Sequence, residues 1–312
     1  MEPKVDIAII GECLIELSSN GTLADTSTLN KYFGGDTVTT AVAIARLGGK
    51  VTYVTKVGND GFSEFILSSL NKENIDTSLI KANEEQNGMY IVSRTPEKKE
   101  LLYYKRKTAA TKLSIDDLNE DCIKQLKLVY STGVVQSLSA SSRELVHSAF
   151  KLAKENDVMT AYDPNYTSCF MNSTDTKEYF EEIIELTDIL FMSSKYDTKS
   201  IFEISSLENI IKNVADRGVE TIVIKSSNDK GYHLNSQRVS TFIPFYTDHV
   251  VDTTSSGDAF NGAFLHAIAN SYTPAEAAKI ASIDAGLQAQ GIGAIKSIPN
   301  RDEVYNIYKS EE

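Results

Sequence analysis

The chain has 312 residues, 43 Asp and Glu against 31 Lys and Arg, and a net charge of −12. That length suits one large α/β domain with an appendage, or two small domains. The acidic balance argues against nucleic acid and against an anionic membrane surface as partners.

In chain order, Val5 to Ile10 is a short apolar run of the kind buried on both faces in a parallel sheet. Cys13 to Ser18 is a second extended piece that ends at Asn20-Gly21. Phe33-Gly34-Gly35-Asp36-Thr37 leads into an Ala-rich helix over Val38 to Leu47, closed by Gly48-Gly49. A double glycine before a helix allows a small polar ligand to approach closely, although a plain loop reads the same way. A strand–loop–helix follows from Tyr53 to Ser63. Gly88 to Arg94 and Glu100 to Arg106 read as a β-hairpin whose turn is Thr95-Pro96-Glu97-Lys98-Lys99. From Ser114 onward helix and strand alternate. Helices are predicted over Ile115–Leu126, Ser142–Asn156, Thr176–Leu186 and Leu207–Arg217. Strands are predicted over Leu128–Ser131, Val158–Asp163, Asp188–Met192 and Thr221–Lys225. The alternation predicts an α/β fold, a mainly parallel sheet with helices on both faces and ligands beyond the carboxyl ends of its strands. Two more helices, Pro274–Gln288 and Asp302–Tyr308, flank the small-residue loop Gly291-Ile292-Gly293-Ala294.

No G-x-G-x-x-G follows the first strand, and no Walker-type G-x-x-x-x-G-K-[ST] occurs. Cys13, Cys122 and Cys169 show no metal spacing, which fits a reduced, cytoplasmic protein. No signal peptide or membrane span is expected. His147, His233, His249 and His266 are scattered and read as structural or surface residues, so no metal ligands are assigned.

The most informative stretch is Val250 to Gly262, with Asp252-Thr253-Thr254-Ser255-Ser256-Gly257-Asp258 at its centre. Apolar residues give way to small ones and then to the apolar run of a buried helix. The first amides of a helix lack internal partners and carry the positive end of its dipole, so a phosphate is a natural guest there. A carboxylate at that mouth repels phosphate. Asp258 makes sense there if it takes the proton of a hydroxyl that attacks the phosphate. A capped helix start would explain a shorter Ser-Ser-Gly-Asp equally well.

The longer string resembles the Asp-Thr-Thr-Gly-Ala-Gly-Asp signature of the ribokinase-like (PfkB) carbohydrate kinases, and the resemblance runs over nearly the whole chain. Ile7 to Leu17, Phe33 to Thr37, Tyr53 to Ser63, Glu73 to Leu79 and Leu102-Tyr103-Tyr104-Lys105-Arg106 with Ala109-Ala110 are most similar to 2-keto-3-deoxygluconate kinases. The resemblance implies a ribokinase-like fold. Its α/β core would comprise residues 1–12, 33–87 and 108–312, and a β-sheet lid residues 13–32 and 88–107. It implies ATP and Mg2+, a sugar substrate, and a homodimer formed through the lid, with Val92, Leu101 and Tyr103 as candidate contacts. It makes Asp258 the catalytic base and gives the anion hole to the amides of Ser255, Ser256 and Gly257. Gly34, Gly35, Asp36, Tyr90, Tyr104, Arg106 and Asn165 would line the sugar site with Asp258. Lys225, Ser227, Gly231, Gly257 and Asp284 would lie toward the nucleotide. Taken singly, the tyrosines also fit a lid core and Arg106 an exposed strand charge.

Several usual contacts are changed. Thr39 replaces a common Asn, and Thr167 replaces an Arg that in these kinases helps hold the acid sugar. Ser193-Ser194-Lys195-Tyr196 stands for Asn-x-x-Glu, with Asp197 one place late. Lys225-Ser226-Ser227 stands for Lys-x-Gly. Ser255 stands where many members have Gly, at a cost of about 1–2 kcal/mol if its φ is positive. The expected activity is ATP-dependent phosphorylation of a primary hydroxyl on 2-keto-3-deoxygluconate or a related keto sugar. A kinase for another ketose such as fructose, and a non-catalytic sugar- or nucleotide-binding relative, are the alternatives.

Overall fold

The computed structural model describes residues 5–95, 98–203 and 206–311. Pro96 and Glu97 of the expected hairpin turn, and the outermost ends of the expected core, lie outside the described residues. The first third of the chain runs β1 (Ile7–Ile10), β2 (Leu14–Ser19), β3 (Asn30–Gly34), α1 (Asp36–Arg46), β4 (Val51–Val54), β5 (Lys56–Val57), α2 (Ser63–Lys72), β6 (Lys81–Ala82), β7 (Met89–Arg94) and β8 (Lys99–Tyr104). Next come α3 (Glu120–Ile123), β9 (Leu128–Thr132), α4 (Gly133–Gln136), α5 (Ala140–Lys154), β10 (Met159–Asp163), α6 (Ser173–Ile183), β11 (Ile189–Ser193), α7 (Asp197–Phe202) and α8 (Leu207–Asp216). The last part holds β12 (Thr221–Ser226), β13 (Gly231–Ser236), β14 (Val239–Pro244), α9 (Ser256–Ala269), α10 (Pro274–Ala289) and α11 (Arg301–Ser310).

The main sheet has eight strands in the order β14-β13-β12-β11-β10-β9-β1-β4. It is parallel from β4 to β12 and antiparallel in β13 and β14. Side chains alternate across a strand, and β1 shows what this does. Ile7 and Ile9 enter one hydrophobic core while Ala8 and Ile10 enter the other. Both faces are therefore covered, as a parallel sheet requires. On the first face α9 packs between α1 and α10. Gly262 permits the α1 contact, because a Cβ there would meet the Thr40 carbonyl oxygen at 2.4 Å. Ala277, Ala278, Ala281 and Ala285 keep the α10 side thin and fully buried. A capping box of Thr273 and Glu276, with Pro274 in the first turn, starts α10.

A separate four-stranded sheet has the order β3-β2-β7-β8. β3 carries this sheet to Gly34, directly before α1.

Two expectations fail. No helix spans Ile115–Leu126. A 3₁₀ turn at Ile115–Asp117 and the single turn of α3 stand there instead, separated by extended Leu118. Asp117 is buried and paired with Lys56 at 2.9 Å and Lys81 at 3.3 Å, so a tertiary ion pair draws it out of a helical register. The β13–β14 hairpin was not expected, because its turn is Gln237-Arg238. Both have positive φ, 50° and 65°, as a type I′ turn demands, yet neither is the Asn or Gly that usually signals one.

Candidate active site

The carboxyl ends of β9, β10 and β12 meet the amino ends of α1 and α9, and the polar groups gather there. Asp163 closes β10. Its Oδ2 accepts from Lys225 Nζ at 2.6 Å and from Asn261 Nδ2 at 2.7 Å. Asn261 Nδ2 also reaches the Tyr130 hydroxyl at 3.1 Å. Asp36, in the first turn of α1, accepts from Thr132 Oγ1 at 2.8 Å and Asn165 Nδ2 at 3.1 Å. Thr40 of α1 donates to the Asp258 carbonyl at 3.1 Å, which ties the two helix starts together.

Asp258 lies in the first turn of α9. Burial, then the nearby Asp36 carboxylate, raises its pKa to about 8, while Lys225 works in the opposite direction. Lys225 keeps its charge. Burial alone would depress its pKa, but the carboxylates of Asp163, Asp258 and Asp197, Asp163 foremost, together outweigh burial and raise it. Ser255, the residue before α9, has φ 61° and ψ 14°, so the left-handed conformation is real and falls on a serine. The Ser256 amide turns back to Thr253 O at 3.2 Å. The amides of Ser255 and Gly257 have no acceptor among the described residues. The Lys225 Nζ is 3.5 Å from where a Cβ on Gly257 would sit. Two open amides, a helix amino end and an ammonium group thus converge beside a basic carboxylate. That arrangement can hold an anion while a proton moves to Asp258.

The double glycine packs tightly. A Cβ on Gly34 would meet the Tyr90 hydroxyl at 2.4 Å, and Gly35, at φ 134°, would meet the Glu12 carbonyl oxygen at 2.8 Å. Tyr90 is buried and bonds Glu16. The β7–β8 register sets Tyr90 opposite Tyr103, so Tyr90, Val92, Leu101 and Tyr103 share one face and Leu102 and Tyr104 the other. The first face looks toward the α/β body. Tyr103 stacks near Tyr90 at 5.7 Å and meets Phe170 edge-on at 4.7 Å, whereas Tyr104 is 56% exposed. Tyr103 therefore holds the inward place expected of Tyr104. Val92, Leu101 and Tyr103 share the face of Tyr90, although Leu101 remains exposed there.

Arg106 is exposed in the turn after β8. Lys105 points inward instead, 2.7 Å from Glu12 Oε2 and 4.1 Å from the centre of the Phe170 ring. Thr167 caps its own turn through Cys169 N at 3.4 Å. Ser227 is exposed after β12, and Gly231 packs under Ile243 and Phe242 of β14. Asp284 is wholly buried in α10. Neither of its oxygens has a partner among the described residues, and burial raises its pKa well above the ordinary carboxylate range.

Sequence reasoning missed Glu12, Tyr103, Lys105 and Asn261. The period of two along β8 would have separated Tyr103 from Tyr104. Glu12 and Asn261 leave no such trace, because their partners lie far away in the chain. A cavity of about 240 Å3 opens between the small sheet and the loop after α10, lined in part by Glu16, Tyr32, Arg94 and Gly293. From the same sheet, Lys99 bonds Thr254, and Arg94 comes within 3.7 Å of Asp252.

Open amides at a helix start beside a buried carboxylate, at the carboxyl end of a parallel sheet, are an arrangement that can serve phosphoryl transfer. The family model described as pfkB family carbohydrate kinase matches residues 4–301. The chain belongs to this family and is a carbohydrate kinase of ribokinase-like fold. It is 30% identical to 2-dehydro-3-deoxygluconokinase of Escherichia coli K12, covering 93% of this chain and 96% of that one. It is 28% identical to 5-dehydro-2-deoxygluconokinase of Clostridium beijerinckii, over 99% and 94%. The crystal structure of an E. coli protein described as ribokinase II, in complex with ATP and Mg2+, superposes with a TM-score of 0.89 at 21% identity, over 99% and 100% of the two chains.

Proposed function

We propose that this kinase transfers the γ-phosphoryl group of ATP to a primary hydroxyl of a deoxy keto sugar acid, 2-keto-3-deoxygluconate or a close relative. The carrying observation is Asp258 at the open start of α9, beside the unspent amides of Ser255 and Gly257. The hydroxyl oxygen attacks the γ-phosphorus as its proton passes to the Asp258 carboxylate, and the bond to ADP breaks. The two amides and the helix dipole hold charge that grows on the phosphoryl oxygens. Asp36 and Asn165, fixed on each other, orient sugar hydroxyls. Gly34 and Gly35 let the chain pack against Tyr90 and the Glu12 carbonyl, and so set the start of α1 with Asp36 at the sugar site. Lys105, the inward cation under the small sheet, is the partner for the sugar carboxylate. Closure of that sheet as a lid over the cleft at Asp36 and Asp258 excludes water.

Magnesium arrives with the nucleotide. Among the described residues no group of three or more His, Cys, Asp or Glu could hold a metal. Asp197, one place after the Asn-x-x-Glu position, accepts from Tyr166 N at 2.7 Å and Ser193 N at 2.5 Å. Cys13, Cys122 and Cys169 are free thiols, which agrees with a cytoplasmic setting.

A neutral ketose is the second reading. It is favoured by Thr167 in its capped turn and by Glu12 already neutralising Lys105. A panel of keto sugars and sugar acids, assayed by coupled ADP release, tests both. Turnover highest on a deoxy keto sugar acid supports the first, turnover highest on fructose or another neutral ketose replaces it with the second, and no ADP release on any sugar overturns both.

A further inference from the structure

Gln288, in the last turn of α10, has no exposed surface. Its amide nitrogen faces carbonyls from two loops, Thr254 at 2.9 Å, Ala294 at 3.3 Å and Gly293 at 3.4 Å. Its carbonyl oxygen Oε1 is buried and has no partner among the described residues. An amide buried with one end unsatisfied is unfavourable unless its other end does something that an apolar side chain could not.

Thr254 directly precedes the strained Ser255. The peptide between them is planar and trans, so its C=O and N–H point in opposite directions. Holding the Thr254 carbonyl against Gln288 therefore turns the Ser255 N–H away from α10, and this is one of the two amides left open for an anion. Ser255 at φ 61° has a ready way to relax. A flip of the Thr254–Ser255 peptide would return Ser255 to negative φ, the ordinary region for a side chain with a Cβ. The same flip would swing the N–H inward and aim a carbonyl oxygen at the bound phosphate.

We infer that Gln288 is a positioning residue that blocks this flip and so keeps the Ser255 amide aimed at the transferred phosphoryl group. The inference rests on the proposed kinase reading and goes beyond it. Neighbouring bonds clamp the same segment without fixing that one peptide. Val251 N and Asp252 N donate to Ala289 O at 2.8 and 3.1 Å, and Gly293 N donates to Asp252 Oδ2 at 3.3 Å. Gln288 is thus the partner that compensates for a serine in a conformation suited to glycine.

The test compares wild type, Gln288→Met, Ser255→Gly and the double variant. Affinity for a non-hydrolysable ATP analogue is measured by calorimetry, and amide exchange is followed in the segment 250–258. Losing the hold should weaken analogue binding about tenfold, the equivalent of one hydrogen bond, and raise the KM for ATP while leaving the KM for the sugar unchanged. Ser255→Gly in the Gln288→Met background should recover most of the loss, because glycine occupies positive φ without strain. In wild type the Ser255 amide should exchange readily and become protected by the analogue, which tests the inference even if Gln288→Met does not fold. Equal analogue affinity in wild type and Gln288→Met, additive effects in the double variant, or a Ser255 amide that the analogue leaves unprotected would each overturn it. Wild type that binds no nucleotide at all would instead overturn the kinase reading on which it stands.

Discussion

Asn165 Nδ2 donates to Asp36 Oδ2 at 3.1 Å across 129 positions of sequence. Asn165 reaches it from a left-handed conformation, φ 44°. The contact joins the end of β10 to the start of α1 and fixes a carboxylate close to Asp258. Asp36 is the largest charge that raises the Asp258 pKa, second only to burial.

The first prediction concerns that pair. Asp258→Asn should lower kcat by about 10²–10⁴-fold, the usual worth of a positioned general base. In wild type the acid limb of kcat/KM should lie near the raised pKa of about 8. Asp36→Asn removes the like charge, so the limb should move to lower pH. A limb that stays in place would mean that Asp36 does not set the titration of the base. Stability follows the same sign. A carboxyl whose pKa is raised on folding contributes stability below its unfolded pKa and loses it as pH rises through about 8. Asp258→Asn should therefore melt above wild type at pH 8–9 and alongside it near pH 4, as thermal denaturation at both pH values would show.

The second prediction separates neighbours in the turn after β8. Lys105→Met should raise the KM for an acid sugar roughly tenfold or more, because a charge-assisted hydrogen bond contributes about 1.5–3 kcal/mol. Arg106→Ala should leave it within about twofold, as expected for an exposed charge. Thr167→Arg should tighten the acid sugar if its side chain turns inward. Steady-state kinetics on the three variants decides the matter, and a larger effect at Arg106 than at Lys105 would reverse the assignment.

The legible part of this molecule is the part that local chemistry writes. The small residues from Asp252 to Asp258, the apolar runs of the parallel strands and the Gly34-Gly35 step all declare themselves within a few positions. What stayed hidden depends on partners far away in sequence. Asp117 leaves its helix because Lys56 and Lys81 draw it away, and Gln237-Arg238 turns sharply because two strands need joining. The exchange of Tyr103 for Tyr104, and of Lys105 for Arg106, is different. A run of aromatic and basic residues offers each type to both faces of a strand, and only the pairing of Tyr90 with Tyr103 selects one.

The third prediction tests the strain at Ser255. Relief of a left-handed serine is worth about 1–2 kcal/mol. Glycine gives back about 0.5–1 kcal/mol through the added freedom of the unfolded chain. Ser255→Gly should thus stabilise the protein by roughly 0.5–1 kcal/mol, measured by denaturant unfolding. A loss of stability would show that the interactions of the serine side chain outweigh its backbone strain.

The last prediction concerns assembly. In the small sheet β3 and β8 are the edges. The outer face of β8 carries Leu102 and Tyr104, 43% and 56% exposed. An apolar outer face beside an open strand edge invites a second copy of the chain. A homodimer through this sheet should therefore use Leu102 and Tyr104, while Val92, Leu101 and Tyr103 share the face of Tyr90. Sedimentation equilibrium should give twice the chain mass for wild type and the single mass for Leu102→Lys with Tyr104→Lys. Leu101→Lys changes the opposite face of β8, that of Tyr90, so it should leave the dimer intact. A wild type that remains monomeric at high concentration, or a dimer broken by Leu101→Lys and not by the outer pair, would refute this arrangement.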